Sequence, residues 1–181
     1  NPFDEFGIKD SRRINKEGRI LDLKNAVEKG VIEINYRPFD INYMYLPEKN
    51  EHWINSPRID VMQHFLKGDN VGLCIGRQGQ VTGSEIWDIL SITNKIVDFN
   101  YFRRGGEVVF PLYLYPEITN QATILNEVVR TPNLNMEIVN EIVTKLGIPF
   151  VTEKDLTGFE NLSGLPKNFA PIDILDYIYA V

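Results

Sequence analysis

At 181 residues, with 43% apolar side chains, the chain is long enough for one domain with its own core and too apolar for a disordered one. Its one cysteine, Cys74, excludes an internal disulfide and a cysteine-based zinc site. The net charge of −6 excludes a domain that holds nucleic acid by bulk positive charge alone: residues 1–115 carry 15 Lys/Arg against 16 Asp/Glu, and residues 116–181 carry 4 against 9.

Residues 1–19 are polar and aperiodic, which predicts an arm or linker remnant ahead of a domain over residues 20–181. Ile20 to Lys29 has apolar residues near helical spacing, with Gly30 to end the helix. Val31–Tyr36 alternates as a strand, Arg37-Pro38-Phe39-Asp40 reads as a turn, and Ile41–Leu46 completes a hairpin. Arg37 and Asp40 are placed to pair within that turn. Ser56-Pro57 is a good helix opening, and the helix is expected to run through Ile59, Met62 and Phe65 to a stop at Gly68. Arg58 sits in its first turn, where a cation opposes the helix dipole, so it calls for an anionic partner: Asp60, another carboxylate, or a phosphate.

The centre of the chain is the most informative part. Val71–Gly76, Ile86–Thr93 and Glu107–Tyr115 are short apolar runs rich in β-branched and aromatic residues, the mark of buried strands. The first run delivers Arg77 and Gln78 to its end, between Gly76 and Gly79, where little side-chain bulk obstructs an approaching molecule. Arg and Gln are the side chains that bond bidentately to guanine and adenine. A surface arginine paired with a carboxylate, beside a turn glutamine, fits the same two residues. Lys95 to Arg104 interleaves Phe99, Tyr101 and Phe102 with Arg103 and Arg104, a pattern that suits either base stacking with phosphate contact or a core capped by arginines.

Residues 117–133 read as a polar connection, Asn135–Leu146 as an amphipathic helix stopped by Gly147, and Phe150-Val151 as a short strand. A long loop follows, and a last helix opens at Ala170-Pro171 and reaches Val181 still apolar and without a cap, so the chain is expected to be cut from a longer polypeptide. Together these elements predict an α+β fold, a mixed or antiparallel sheet of about five or six strands with packed helices.

Catalytic patterns are missing. There is no phosphate-binding Gly-rich loop, His-Glu-x-x-His or Gly-x-Ser-x-Gly, and only His52 and His64 could act as histidine acid–bases. Glu153-Lys154-Asp155 has the residues of a magnesium nuclease at the wrong spacing. No metal ligand set and no catalytic residue is assigned. No apolar run approaches a membrane span and no signal-like segment opens the chain, so the expected setting is cytoplasmic, with no membrane partner.

From Tyr36 onward the ordered set YRPFD (36–40), SPRIDVMQHFL (56–66), NVGLCIGRQ (70–78), WD (87–88), VFPLYLYP (109–116), NLN (133–135) and FAPIDILDYIYAV (169–181) resembles the C-terminal specificity domain of type ISP restriction–modification enzymes and related single-chain adenine methyltransferases. The resemblance implies target-sequence recognition on double-stranded DNA. It also implies a separate methyltransferase domain of the same polypeptide that uses S-adenosylmethionine, in some members with nuclease activity, and no cofactor in this part. The residues expected at the DNA are Arg77, Gln78, Arg103, Arg104 and Arg58, whereas YRPFD and FPLYLYP are assigned to the fold. The alternative is a protein–protein module that docks its acidic C-terminal third on another domain of such an enzyme.

Overall fold

The structure is a computed structural model that describes residues 28, 31–46, 58–76, 89–102, 106–117, 129–154 and 167–181. In chain order the strands are β1 (Ile32–Arg37), β2 (Asp40–Met44), β3 (Gly72–Ile75), β4 (Leu90–Thr93), β5 (Ile96–Val97), β6 (Val108–Pro111), β7 (Tyr113–Leu114) and β8 (Thr131–Pro132). The helices are α1 (Ile59–Met62), which continues as a 3-10 turn over Gln63–Phe65, α2 (Met136–Leu146) and α3 (Pro171–Ala180). The fold is α+β. Among the described residues the strands are divided among three small sheets, ordered β2-β1-β5, β4-β3-β6 and β7-β8. None of the helices among the described residues is long and apolar enough to cross a membrane.

The central sheet is the frame, and β3 is buried on both of its faces. Alternation along a strand sends Cys74 to one side and Leu73 and Ile75 to the other. Cys74 joins Ile34, Met62, Ile96, Val97, Tyr101 and Val109, so α1 and the β2-β1-β5 sheet close that side. Leu73 joins Leu112, Tyr113 and Leu175, with Ile75, Leu90, Ile92 and Ile172 packed around them, so α3 closes the other. A side chain of this size, fully buried, contributes on the order of 1.5–3 kcal/mol. Burial pushes the Cys74 thiol up to about 12, which keeps it protonated and inert.

Polar side chains staple the chain where β3 begins. Asn70 donates to the carbonyls of His64 (3.0 Å) and Tyr113 (2.8 Å) and accepts from the N–H groups of Val71 (3.0 Å) and Tyr113 (3.1 Å). A buried amide with its bonds filled this way fixes three segments at once. His64 accepts the Tyr115 N–H on Nδ1 at 2.9 Å, and burial, then Lys67, holds its pKa below the usual histidine value.

Several boundaries differ from those read in the sequence, each for a physical reason. The run Glu107–Tyr115 is two strands, not one. Pro111 has no N–H to give a further neighbour and is tolerated because β6 is the edge of its sheet. At Leu112 the chain bends to donate to the Val71 carbonyl at 2.8 Å, and β7 then pairs with β8, a strand inside the stretch read as a polar connection. The first helix begins with Arg58 in a left-handed conformation (φ 50, ψ 48) and tightens to 3-10 geometry after Met62. Gly68 does not close that helix with a left-handed turn. A Cβ there would lie 2.6 Å from the Tyr115 hydroxyl, so what requires glycine is the close approach of that ring. Arg37 does not pair with Asp40: the two are backbone partners across the hairpin, and the guanidinium reaches toward Asp98 (3.9 Å) and donates to the Asn100 carbonyl. Phe150 forms an isolated parallel bridge to Phe169.

The later helices follow their caps. Asn135 accepts the Glu137 N–H at 2.9 Å and Gly147 ends α2 at φ 67 with its N–H on the Val143 carbonyl. Pro171 occupies the first turn of α3, and Asp173 accepts the Ala170 N–H at 2.8 Å. The expected arm over residues 1–19 and the Ser56-Pro57 helix opening lie outside the described residues. So does the expected helix over Ile20 to Lys29, except for Glu28, which is helical.

Candidate nucleic-acid interface

Strand directions decide what lies at each end of the molecule. β3 runs up to Ile75, opposite the first residue of β4, Leu90, and the first residue of β6, Val108. Just beyond, the Gly76 N–H donates to the Ile89 carbonyl at 2.9 Å. β5 runs parallel to β1, so the chain after β5 and the tip of the β1–β2 hairpin reach the same level. There the Gly106 N–H donates to the Phe99 carbonyl at 3.2 Å, and Arg37 bonds the Asn100 carbonyl. The Ile75 end of the central sheet thus gathers Gly76, Ile89 and Gly106, and the bonds Gly106–Phe99 and Arg37–Asn100 join to it the turn after β5 and the hairpin that ends in Pro38–Phe39.

Two sequence segments depart from and return to described residues at this end: residues 77–88, between Gly76 and Ile89, and residues 103–105, between Phe102 and Gly106. Arg77, Gln78, Arg103 and Arg104 fall in them and lie outside the described residues. Arg58 is described; it is exposed, and among the described residues no carboxylate comes within ion-pair distance of it. Neither Asp60 nor any other described carboxylate is therefore the partner its position calls for.

The aromatics of the interleaved stretch separate by role. Tyr101 is buried in the core, where its hydroxyl shares a 2.8 Å hydrogen bond with Ser91, and Phe102 packs edge-on against it with ring centres 5.0 Å apart. Phe99 is 67% exposed. The motif YRPFD separates too. Arg37 braces the hairpin and lies over the Tyr36 ring at 4.3 Å, while Phe39 at the tip is fully exposed with φ 65. Read from the sequence, the whole motif belongs to the fold. The signal that distinguishes Phe39 is an aromatic in a two-residue loop, where Gly or Asn is preferred.

The opposite end holds a cleft of about 790 Å³ lined by Asp69, Asn94, Tyr113, Arg130, Glu153 and Asp176, among others. Both of its lining cations, Arg130 and Lys154, are already paired. Arg130 stacks on the Tyr113 ring at 3.8 Å, bonds Glu153 through Nε and Nη2 at 2.7 Å each, and donates to the Asp69 carbonyl. The Glu153 bond holds the Arg130 pKa above its ordinary value. Lys154 pairs with Asp173. These groups tie α3 and the residues around β8 to the start of β3, and Glu153 and Lys154 are each engaged there, by Arg130 and Asp173.

The model of the type ISP C-terminal specificity domain matches residues 4–181. The chain belongs to that family. No curated protein and no solved structure matches it. The type ISP domain is by its description the specificity part of a restriction–modification enzyme, so target recognition is the function to which the gathered end of the sheet has to answer. Within a specificity domain a cleft whose cations are engaged by the domain's own carboxylates acts as a staple, and the end from which the Arg-bearing segments depart is the candidate interface.

Proposed function

We propose that this type ISP specificity domain selects a DNA sequence for a methyltransferase domain of the same polypeptide. That domain uses S-adenosylmethionine to modify adenine, in a cytoplasmic enzyme. The observation that carries the reading is the common end of the sheet to which segments 77–88 and 103–105 attach. Arg77 and Gln78 then read base edges in the major groove, and Arg103, Arg104 and Arg58 contact phosphate or base. A doubly covered strand at that end offers a fixed support for contacts made there, which lowers the cost of binding. A near-neutral first 115 residues is compatible with a few specific contacts, the rest of the duplex being held by the other domains.

The test is selection of duplexes from a random pool by the full-length enzyme that carries this domain. The expected result is enrichment of one short sequence, and Arg77→Ala should relax preference at one position of it by about 1–3 kcal/mol. No enrichment, or an unchanged preference profile in Arg77→Ala combined with Gln78→Ala, removes the assignment.

A second reading is kept by α2. It buries Val139 but leaves Ile138 and Leu146 more than half exposed, in the acidic third of the chain. That face suits docking on another domain of the enzyme. Ile138→Asp that weakens association with the methyltransferase domain while sparing DNA selection would support docking as an added role.

A further inference from the structure

We infer that Phe39 is an aromatic wedge that enters a base step of the duplex bound at this end of the sheet; the inference rests on the DNA-recognition reading above. The fold does not ask for this side chain. Pro38 followed by a residue at positive φ is the combination of a type II turn, whose second central position favours glycine. Phe39 occupies it at φ 65, fully exposed. A strained backbone and an apolar ring in water both cost stability, and residues held in this way cluster at functional sites.

The tip is also braced. The Arg37 guanidinium lies 4.3 Å from the Tyr36 ring centre, donates to the Tyr36 carbonyl at 3.0 Å and to the Asn100 carbonyl, and lies 3.9 Å from Asp98. This fixes the hairpin base to the turn that follows β5, so the ring is presented on a rigid support and loses little freedom on binding. The same turn carries the exposed Phe99 and leads into the Arg103–Arg104 segment.

The chemistry of the tip points to base faces and not to phosphates. Its cation, Arg37, is engaged by Asp98 and the Asn100 carbonyl, and Asp40 follows the ring. An apolar side chain without a free cation gains most between stacked bases, where such wedges unstack a step and kink the duplex. A wedge of this kind adds selectivity without hydrogen bonds, because flexible pyrimidine–purine steps open at the lowest cost.

The test compares the full-length enzyme carrying the wild-type domain with its Phe39→Gly and Phe39→Trp variants on duplexes that the wild type selects from a random pool. Glycine relaxes the turn, so the unfolding midpoint of Phe39→Gly should equal or exceed that of wild type, which separates a binding defect from a folding defect. Phe39→Gly should bind about tenfold or more weakly. It should also lose the permanganate-reactive thymine and the bend, read by paired dyes, that the wild type induces. Phe39→Trp should retain both, with emission quenched on binding beyond the change seen in wild type. The inference is overturned if Phe39→Gly binds and distorts the duplex as wild type does, or if its only change is in self-association by sedimentation. Failure of the wild type to select any duplex overturns the DNA-recognition reading itself, and the wedge with it.

Discussion

His64 shows how a residue that resembles a catalytic candidate is given instead to the fold. Its Nδ1 takes the Tyr115 N–H at 2.9 Å, which requires that nitrogen to be unprotonated, and burial lowers its pKa. The sign of the pH effect follows. Above the unfolded histidine value of about 6.5 neither state binds the proton. As pH falls below it, the unfolded chain takes up the proton first, so stability is lost from there down to the lower folded-state value. His64→Asn supplies an acceptor that does not titrate. Urea midpoints at pH 8 and pH 5 should show wild type losing more than the variant between the two. His64→Ala, which leaves the Tyr115 N–H without a partner, should cost about 1–3 kcal/mol at pH 8. Asn70 has the same character: in the sequence it is one polar residue before a strand, and in space it closes four hydrogen bonds to three segments.

At the scale of elements, the glycines separate two physical causes. Gly147 stands at φ 67 with open space around its missing Cβ, so Gly147→Ala should cost only the left-handed conformation, about 1 kcal/mol. Gly68 has ordinary torsions but faces the Tyr115 hydroxyl, which donates to the Asp69 carbonyl at 2.7 Å. Gly68→Ala should displace that ring, break its bond to Asp69 and cost about 1–3 kcal/mol. Thermal midpoints of the two variants, with tyrosine absorbance as a reporter of the ring, check both. The elements legible in the sequence were those whose signals are local: the alternation of β1, the apolar run of β3, and the Asn135 and Gly147 caps of α2. β8 was not legible, because two residues, Thr131 and Pro132, carry no period and pair only where Leu112 turns the chain toward them. The break within Glu107–Tyr115 was hidden for the same reason, since it depends on a partner, the Val71 carbonyl, far away in sequence.

At the scale of the molecule, the candidate site was legible in kind but not in full. Arg77 and Gln78 were singled out from their glycine neighbours but lie outside the described residues, and the charge count argued against binding by bulk positive charge. That the segments with Arg77 and Arg103 attach at one end could not be read from the sequence, because it follows from strand direction and register. Phe39 was hidden because its motif looks structural until Arg37 and Phe39 are seen to do different things. With few cations in play, each phosphate neutralised should be visible in the salt dependence. Arg104→Ala should lower affinity evenly across sequences and reduce the slope of log K against log salt by about 0.9, the share of a single phosphate. Titrations of selected and scrambled duplexes at several salt concentrations measure both effects.

The covered strand at the centre carries a consequence for how such a domain can change allegiance. Its residues are committed on both faces, so an exchange there disturbs packing before it alters any preference. A change of preference is better sought in the segments that join Gly76 to Ile89 and Phe102 to Gly106 than in the strand itself. A library confined to positions 77–85 and 103–105 should therefore yield folded proteins with new choices of site at a far higher rate than one of equal size drawn from 72–75 and 108–111.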